Sequence, residues 1–175
     1  NGIGKTTAIK ILCGIEIPNL GRYENPPSKE EVLASFAGTE LHDYLENLYA
    51  GKIKTAMKPQ YVDKLPQASK GVVRDLLSRV QERMTIDQAA EMFELTEVLD
   101  RELDKLSGGE LQRVAMAATM MKDADVYFFD EPTSYLDIYQ RVKMARLIKD
   151  LSVEKQVMVI EHDLAILDFL ADNVN

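Results

Sequence analysis

Leu106-Ser107-Gly108-Gly109-Glu110-Leu111-Gln112-Arg113 decides how this chain is read. Ser107 is followed three residues later by Glu110, and an amphipathic run comes next, which is the pattern of a capping box opening a helix. Gly108 and Gly109 carry no side chain, so the backbone N–H groups at that helix start are unobstructed. Free amides and the positive end of a helix dipole together make an anion site. The anion that suits it is the terminal phosphate of a nucleotide. The same letters also fit an ordinary serine-capped helix with glycines in its first turn, and a short motif alone does not separate the two. The motifs on either side of it in the chain do.

Upstream, the chain opens with Asn1-Gly2-Ile3-Gly4-Lys5-Thr6-Thr7. This matches the last part of the phosphate-loop pattern G-x-x-x-x-G-K-[ST], whose first glycine would fall two positions before Asn1. Gly2 and Gly4 let the backbone curl around a phosphate, with Asn1, Ile3 and Thr7 completing the cradle. Lys5 reaches the β- and γ-phosphates, and the Thr6 hydroxyl ligates Mg²⁺. Ala8, Ile9, Ile11 and Leu12 continue as a helix that stops at Gly14.

Downstream, Val126-Tyr127-Phe128-Phe129 is an apolar run of strand formers, as in a strand buried on both faces of a parallel sheet. It ends in Asp130-Glu131-Pro132, a Walker B pattern with an added glutamate. Asp130 is the expected Mg²⁺ ligand, and Glu131 the group that orients and polarises the attacking water. Val157-Met158-Val159-Ile160 reads as a second buried strand, followed by Glu161-His162-Asp163. Ligands of open α/β sheets gather at the carboxyl ends of strands, so His162 is expected on the same edge as Asp130 and Glu131. There it would donate to a γ-phosphate and register its loss. Asp163 is expected to cap a helix beginning near Leu164. His42 has no such surroundings and is assigned no role.

The chain has 175 residues and a net charge of −8, and 46% of its residues are hydrophobic. One domain is the default at this length. No stretch approaches the ~18 apolar residues of a membrane span. The acidic balance argues against a broad basic face for nucleic acid on this segment. Cys13 is the one cysteine and sits in an apolar helical run, so a packed thiol in a reducing cytoplasm is expected.

The expected fold class is α/β, a P-loop core with a parallel sheet and an inserted helical lobe, cut short at both ends. Residues 1–69 and 126–175 are read as two parts of an ATP-binding core, and 70–125 as the helical lobe. Ser28 with Glu31 and Thr85 with Gln88 are two further capping boxes. Leu41, Tyr44, Leu45 and Leu48 follow an i, i+3, i+4, i+7 spacing, hence a helix with one buried face. Met144, Leu147, Ile148 and Leu151 line a helix that joins the two strands in a βαβ unit with a right-handed crossover. The strand that should feed the phosphate loop is missing. Residues 172–175 look like a connection cut short, so a piece of a longer polypeptide is expected.

Over nearly its whole length the order of these motifs resembles the ATP-binding-cassette (ABC) ATPases. The resemblance implies that Leu106–Arg113 is the signature motif, whose Ser107, Gly108 and Gly109 cap a nucleotide held mainly by a second cassette. It implies that Gln60, in Lys58-Pro59-Gln60-Tyr61-Val62-Asp63, touches Mg²⁺ and couples the two lobes. It places Asp137 in a D-loop, Ser134-Tyr135-Leu136-Asp137, that crosses to the partner. Pro18-Asn19-Leu20-Gly21, Phe36-Ala37-Gly38-Thr39-Glu40-Leu41, the Gln60 stretch and Asp130 to Asp137 are similar to the first cassette of the ABC-E proteins, the ribosome recycling factors also called RNase L inhibitors. That likeness implies ATP hydrolysis driving closure and opening of two cassettes in ribosome recycling, with roles around translation termination and initiation. It implies the small ribosomal subunit and release factors as partners. It also implies two [4Fe–4S] clusters, but only in a domain outside this chain. The helix–loop–helix that such proteins set against ribosomal RNA does not stand out in the sequence. Two other readings stay open. One is the ATPase subunit of a membrane transporter, disfavoured by Tyr135 and by the helices before Gln60. The other is a cassette that binds ATP without hydrolysing it.

Overall fold

Residues 4–22 and 24–171 are described by a computed structural model of the chain. Asn1, Gly2 and Ile3, called above as part of the phosphate cradle, lie outside the described residues, as do 172–175. The chain divides into two compact units, residues 1–55 and 56–175.

In the first unit, α1 spans Lys5–Leu12 and starts from Gly4 at φ 96°. Only a residue without Cβ enters that region freely, so the glycine before Lys5 is what lets a turn run directly into a helix. Helices α2 (Lys29–Ser35) and α3 (Glu40–Tyr49) pack against each other as a helix–turn–helix pair. The sequence reading found both helices but not their pairing, so a helix–loop–helix is present where none stood out. The Ser28 box at α2 forms as expected, with Glu31 N–H donating to Ser28 Oγ at 3.3 Å and Ser28 N–H to Glu31 Oε2 at 2.9 Å.

All but the first residue of β1 (Thr55–Lys58), a strand the sequence reading missed, falls in the second unit. Four residues are too few for a period-two pattern to stand out, and one of them, Lys58, is charged. A 3₁₀ turn at Val62–Lys64 and α4 (Leu65–Ala68) lead into α5 (Val73–Ser78) and α6 (Ile86–Met92). Further 3₁₀ turns at Thr96–Val98 and Leu103–Lys105 precede α7, Gly108–Met120. Then come β2 (Val126–Asp130), α8 (Ile138–Glu154), β3 (Gln156–Ile160) and α9 (Leu164–Leu170).

The strands order as β1-β2-β3. The β2–β3 pair is parallel, in a register that sets Asp130 opposite Ile160. Every residue of β2 is buried, as its unbroken apolar run requires. β3 departs from expectation: it is only partly covered, and Met158 is 44% exposed. The order explains this, since among the described residues β3 has a strand neighbour on one side only. One apolar core joins Leu77, Phe93 and Met116 of the helices to Tyr127 and Phe129 of β2 and Ile148 of α8. Tyr127 and Phe129 stack with centroids 6.4 Å apart. The buried Tyr127 hydroxyl donates to Lys122 O at 2.5 Å and accepts from Ala124 N–H at 3.2 Å, so its polar end is satisfied.

Candidate functional site

β2 and β3 run parallel and end together, so Asp130-Glu131-Pro132 and Glu161-His162-Asp163 emerge on one edge of the sheet. Three side chains named from the sequence meet there. Glu131 Oε1 accepts a hydrogen bond from Gln60 Nε2 at 2.7 Å and lies 3.3 Å from His162 Nε2. Glu131 Oε2 accepts from Ser134 Oγ at 3.0 Å. Asp130 is buried at the strand end, 1% exposed. Gln60 reaches this edge because it directly follows the β1 strand and Pro59.

The backbone at Glu131 is in the left-handed region, φ 49°. Its N–H donates to Ile160 O at 2.8 Å, which extends the β2–β3 ladder one residue past the strand. The buried Lys58 ammonium donates to Asp130 O at 2.9 Å and Glu131 O at 3.0 Å. Burial lowers the Lys58 pKa to about 8, while Asp130, Glu131 and Glu161 pull it the other way. Gln112 Nε2, from α7, donates to Glu131 O at 2.9 Å and Pro132 O at 2.7 Å.

A second carboxylate organises the loops. Glu161 Oε2 accepts from Thr133 Oγ1 at 2.5 Å and Thr133 N–H at 3.3 Å. Its Oε1 accepts from the backbone N–H groups of His162 at 2.8 Å and Asp163 at 3.3 Å. One buried side chain thus ties the turn after β2 to the turn after β3. Asp163 caps α9 as read from the sequence, its Oδ1 accepting from Ala165 and Ile166 N–H.

The signature stretch opens α7 through the expected box. Ser107 N–H donates to Glu110 Oε2 at 2.7 Å and Glu110 N–H to Ser107 Oγ at 3.3 Å. The bond from Ser107 N–H holds the Glu110 carboxyl below its ordinary pKa, with Arg101 adding a smaller pull. Ser107 and Gly108 are exposed. Asp137 caps α8, its Oδ1 accepting from Gln140 N–H at 2.8 Å. Tyr135, at φ 66°, lays its ring against Gly108. Gly4, Lys5, Thr6 and Thr7 belong to the first unit, at the start of α1.

Lys58, Gln112 and Glu161 were not singled out from the sequence. Gln112 did leave a signal: it falls among Leu111, Ala115, Met116 and Thr119 on the buried side of α7, and a polar residue there must have a partner. Lys58 and Glu161 act on backbone groups, which impose no recognisable spacing.

The ABC transporter family profile matches residues 1–134. An uncharacterized ABC transporter ATP-binding protein of Methanocaldococcus jannaschii is 51% identical over 175 residues, covering 100% of this chain and 29% of that protein. Translation initiation factor RLI1 of Saccharomyces cerevisiae is 45% identical over 180 residues, covering 99% of this chain and 30% of that protein. Among solved structures, the archaeal ribosome recycling factor aABCE1, in complex with the archaeal ribosomal stalk protein aP1, is 51% identical. It aligns with a TM-score of 0.91 and covers 98% of this chain and 33% of that one. The chain therefore spans about a third of the length of these relatives. Motif order, strand-edge geometry and profile agree: this chain belongs to the ABC transporter family, the ATP-binding cassettes.

Proposed function

We propose that this chain is an ATP-binding and ATP-hydrolysing cassette of a ribosome recycling factor, working face to face with a second cassette. The observation that carries the hydrolytic part is the meeting of Gln60, His162 and Ser134 on the carboxylate of Glu131, beside a buried Asp130. Gln60 and Ser134 hold the carboxylate in one orientation. A carboxylate offers about four lone-pair sites, so Glu131 keeps acceptor capacity for a water. Glu131 then polarises that water and takes its proton, and His162 donates to the γ-phosphate. Lys5 and the amides of Asn1 to Thr7 bind the phosphates, while Ser107, Gly108 and Gly109 serve the partner's nucleotide.

Thr6 hydroxyl, Gln60 amide oxygen and Asp130 carboxylate are hard oxygen donors, the set that Mg²⁺ takes. Bound there, the ion would neutralise charge on the β- and γ-phosphates. The division into an ATP-binding core, 1–69 and 126–175, and a helical lobe, 70–125, forms part of this proposal. The D-loop residue Asp137 would stand at the cassette interface while capping α8.

The translational part rests on identity with the recycling and initiation factors over the full chain. The implied partners are the second cassette, the small ribosomal subunit and release factors. Any [4Fe–4S] cluster belongs to another domain, because this chain has one cysteine, Cys13, which is buried. No helix among the described residues is long and apolar enough to cross a membrane, and a cytoplasmic site of action is proposed.

Two measurements test this. Glu131→Gln in the full-length protein should keep ATP binding and slow turnover by roughly 10²–10⁴, the span for a lost general base. Unchanged turnover removes Glu131 from the role of base. The full-length protein should also co-sediment with small ribosomal subunits when a non-hydrolysable ATP analogue is present. Absence from that fraction with and without the analogue, together with recovery alongside a membrane permease, moves the reading to a transporter subunit.

A further inference from the structure

The peptide carrying the proposed base is held in a conformation that a residue with a Cβ avoids. Glu131 has φ 49°. Such strain persists only where the surroundings over-determine it, and it gathers at functional positions. Two buried side chains do the determining. Lys58 Nζ bridges the carbonyls of Asp130 and Glu131 at 2.9 and 3.0 Å, and Gln112 Nε2 bridges those of Glu131 and Pro132 at 2.9 and 2.7 Å. Three successive carbonyls are thus fixed, and the middle one belongs to Glu131. Both clamping residues are 0% exposed.

Gln112 carries a further mark. Its amide oxygen is buried without a hydrogen-bond partner in the structure, so only its nitrogen is served. An unsatisfied buried acceptor disfavours folding, and an apolar side chain of the same shape would avoid that cost only by stripping a donor from the Glu131 and Pro132 carbonyls. The amide is therefore explained by the grip of its nitrogen on the Glu131 and Pro132 carbonyls, held at the expense of its own unpaired oxygen. Gln112 also stands on α7, five positions beyond Ser107, on the helix whose start bears the exposed Ser107 and Gly108.

We propose that Gln112, acting with Lys58, is a positioning residue for ATP hydrolysis, holding the Glu131 peptide in the left-handed state and tying it directly to the signature helix. The inference rests on the reading of Glu131 as base. One hydrogen bond then joins the two roles of the cassette. The helix that caps a partner's nucleotide grips the residue that activates water against the chain's own. Displacement of α7 when the signature engages is delivered to the aim of the Glu131 carboxylate, so each composite site senses closure of the other.

The test uses the full-length protein and ATPase rates at saturating and limiting ATP. Gln112→Met keeps the bulk and removes the donor. Its kcat should fall about 10²-fold, the effect of a small misplacement of a reacting group, with KM for ATP unchanged. Adding Gln112→Met to Glu131→Gln should leave the residual rate within about twofold, because no base remains to be aimed. Lys58→Met should show the same split and the same non-additivity. Should Gln112→Met fail to fold, Gln112→Asn, which draws the amide back by one carbon, is read identically. Full kcat in a folded Gln112 variant, with kcat lost in Glu131→Gln, overturns the inference and leaves the base in place. Losses that multiply in the double variant overturn it too, since they mark a purely structural residue. Full kcat in Glu131→Gln instead sinks the reading on which it rests.

Discussion

Gly108 and Gly109 face different neighbours, and the difference predicts how each tolerates a methyl group. A Cβ on Gly108 would stand 3.2 Å from Tyr135 Cδ1, whereas one on Gly109 would stand 3.1 Å from the Tyr135 carbonyl oxygen. The ring belongs to a side chain 61% exposed and can swing aside. The carbonyl belongs to a residue already at φ 66° and has nowhere to go. Gly109→Ala should therefore destabilise the full-length protein by about 1–3 kcal/mol, the range for overpacking, and Gly108→Ala by less. Denaturant midpoints measure both, and the reverse order would show that the Tyr135 loop yields more easily than the ring. The sequence made the two glycines legible as a bare helix start, but Tyr135 stands too far along the chain for any local pattern to reveal the contact. The same holds across the site. Asp130, Glu131 and His162 stood out because they follow apolar strand runs, whereas Gln60 entered only through the family resemblance, the strand before it having left no pattern. Lys58 and Glu161 were hidden because they hold mainly backbone groups, which every residue has, while Gln112 showed only as a polar residue on the buried side of α7.

Elements with strong local signals formed where the pattern placed them. The boxes at Ser28, Thr85 and Ser107 all close reciprocally, since each needs only four consecutive residues. β1 escaped notice for the opposite reason: it is four residues long, and only its place in the sheet makes it a strand. The partial exposure of β3 likewise depends on strand order, which composition does not encode. Within the first unit, α3 is joined to the end of α1 by Tyr44, whose hydroxyl donates to Leu12 O at 2.6 Å. Burial, with a smaller push from Cys13, raises the Tyr44 pKa from 10.0 to about 12. A folded-state pKa above the unfolded one means the native state binds the proton more tightly. The resulting stability is fully present below about pH 10 and is lost as pH rises towards about 12. Tyr44→Phe should flatten the melting temperature across that window, and an equally steep decline in the variant would assign the alkaline loss to another group.

For the whole molecule the decisive question is how a chain proposed to carry both an ATP-binding edge and a signature helix would meet a second cassette. Ser107 and Gly108 are exposed, as a surface reserved for another cassette's nucleotide would be. Ser107→Arg should leave nucleotide binding on this cassette largely intact and block ATP-driven closure, seen as loss of the compaction that ATP produces in small-angle scattering. Normal closure in that variant would remove Ser107 from the interface. The backbone at position 131 also bears on how such proteins respond to selection. The left-handed state costs a residue with a Cβ roughly 1–2 kcal/mol, and glycine escapes most of it. Glycine at 131 should therefore endure heat better than alanine there, although in ordinary backbone the ranking is the reverse. A laboratory lineage rewarded only for surviving high temperature would be drawn towards that glycine, and the resulting protein would be sturdier and chemically silent.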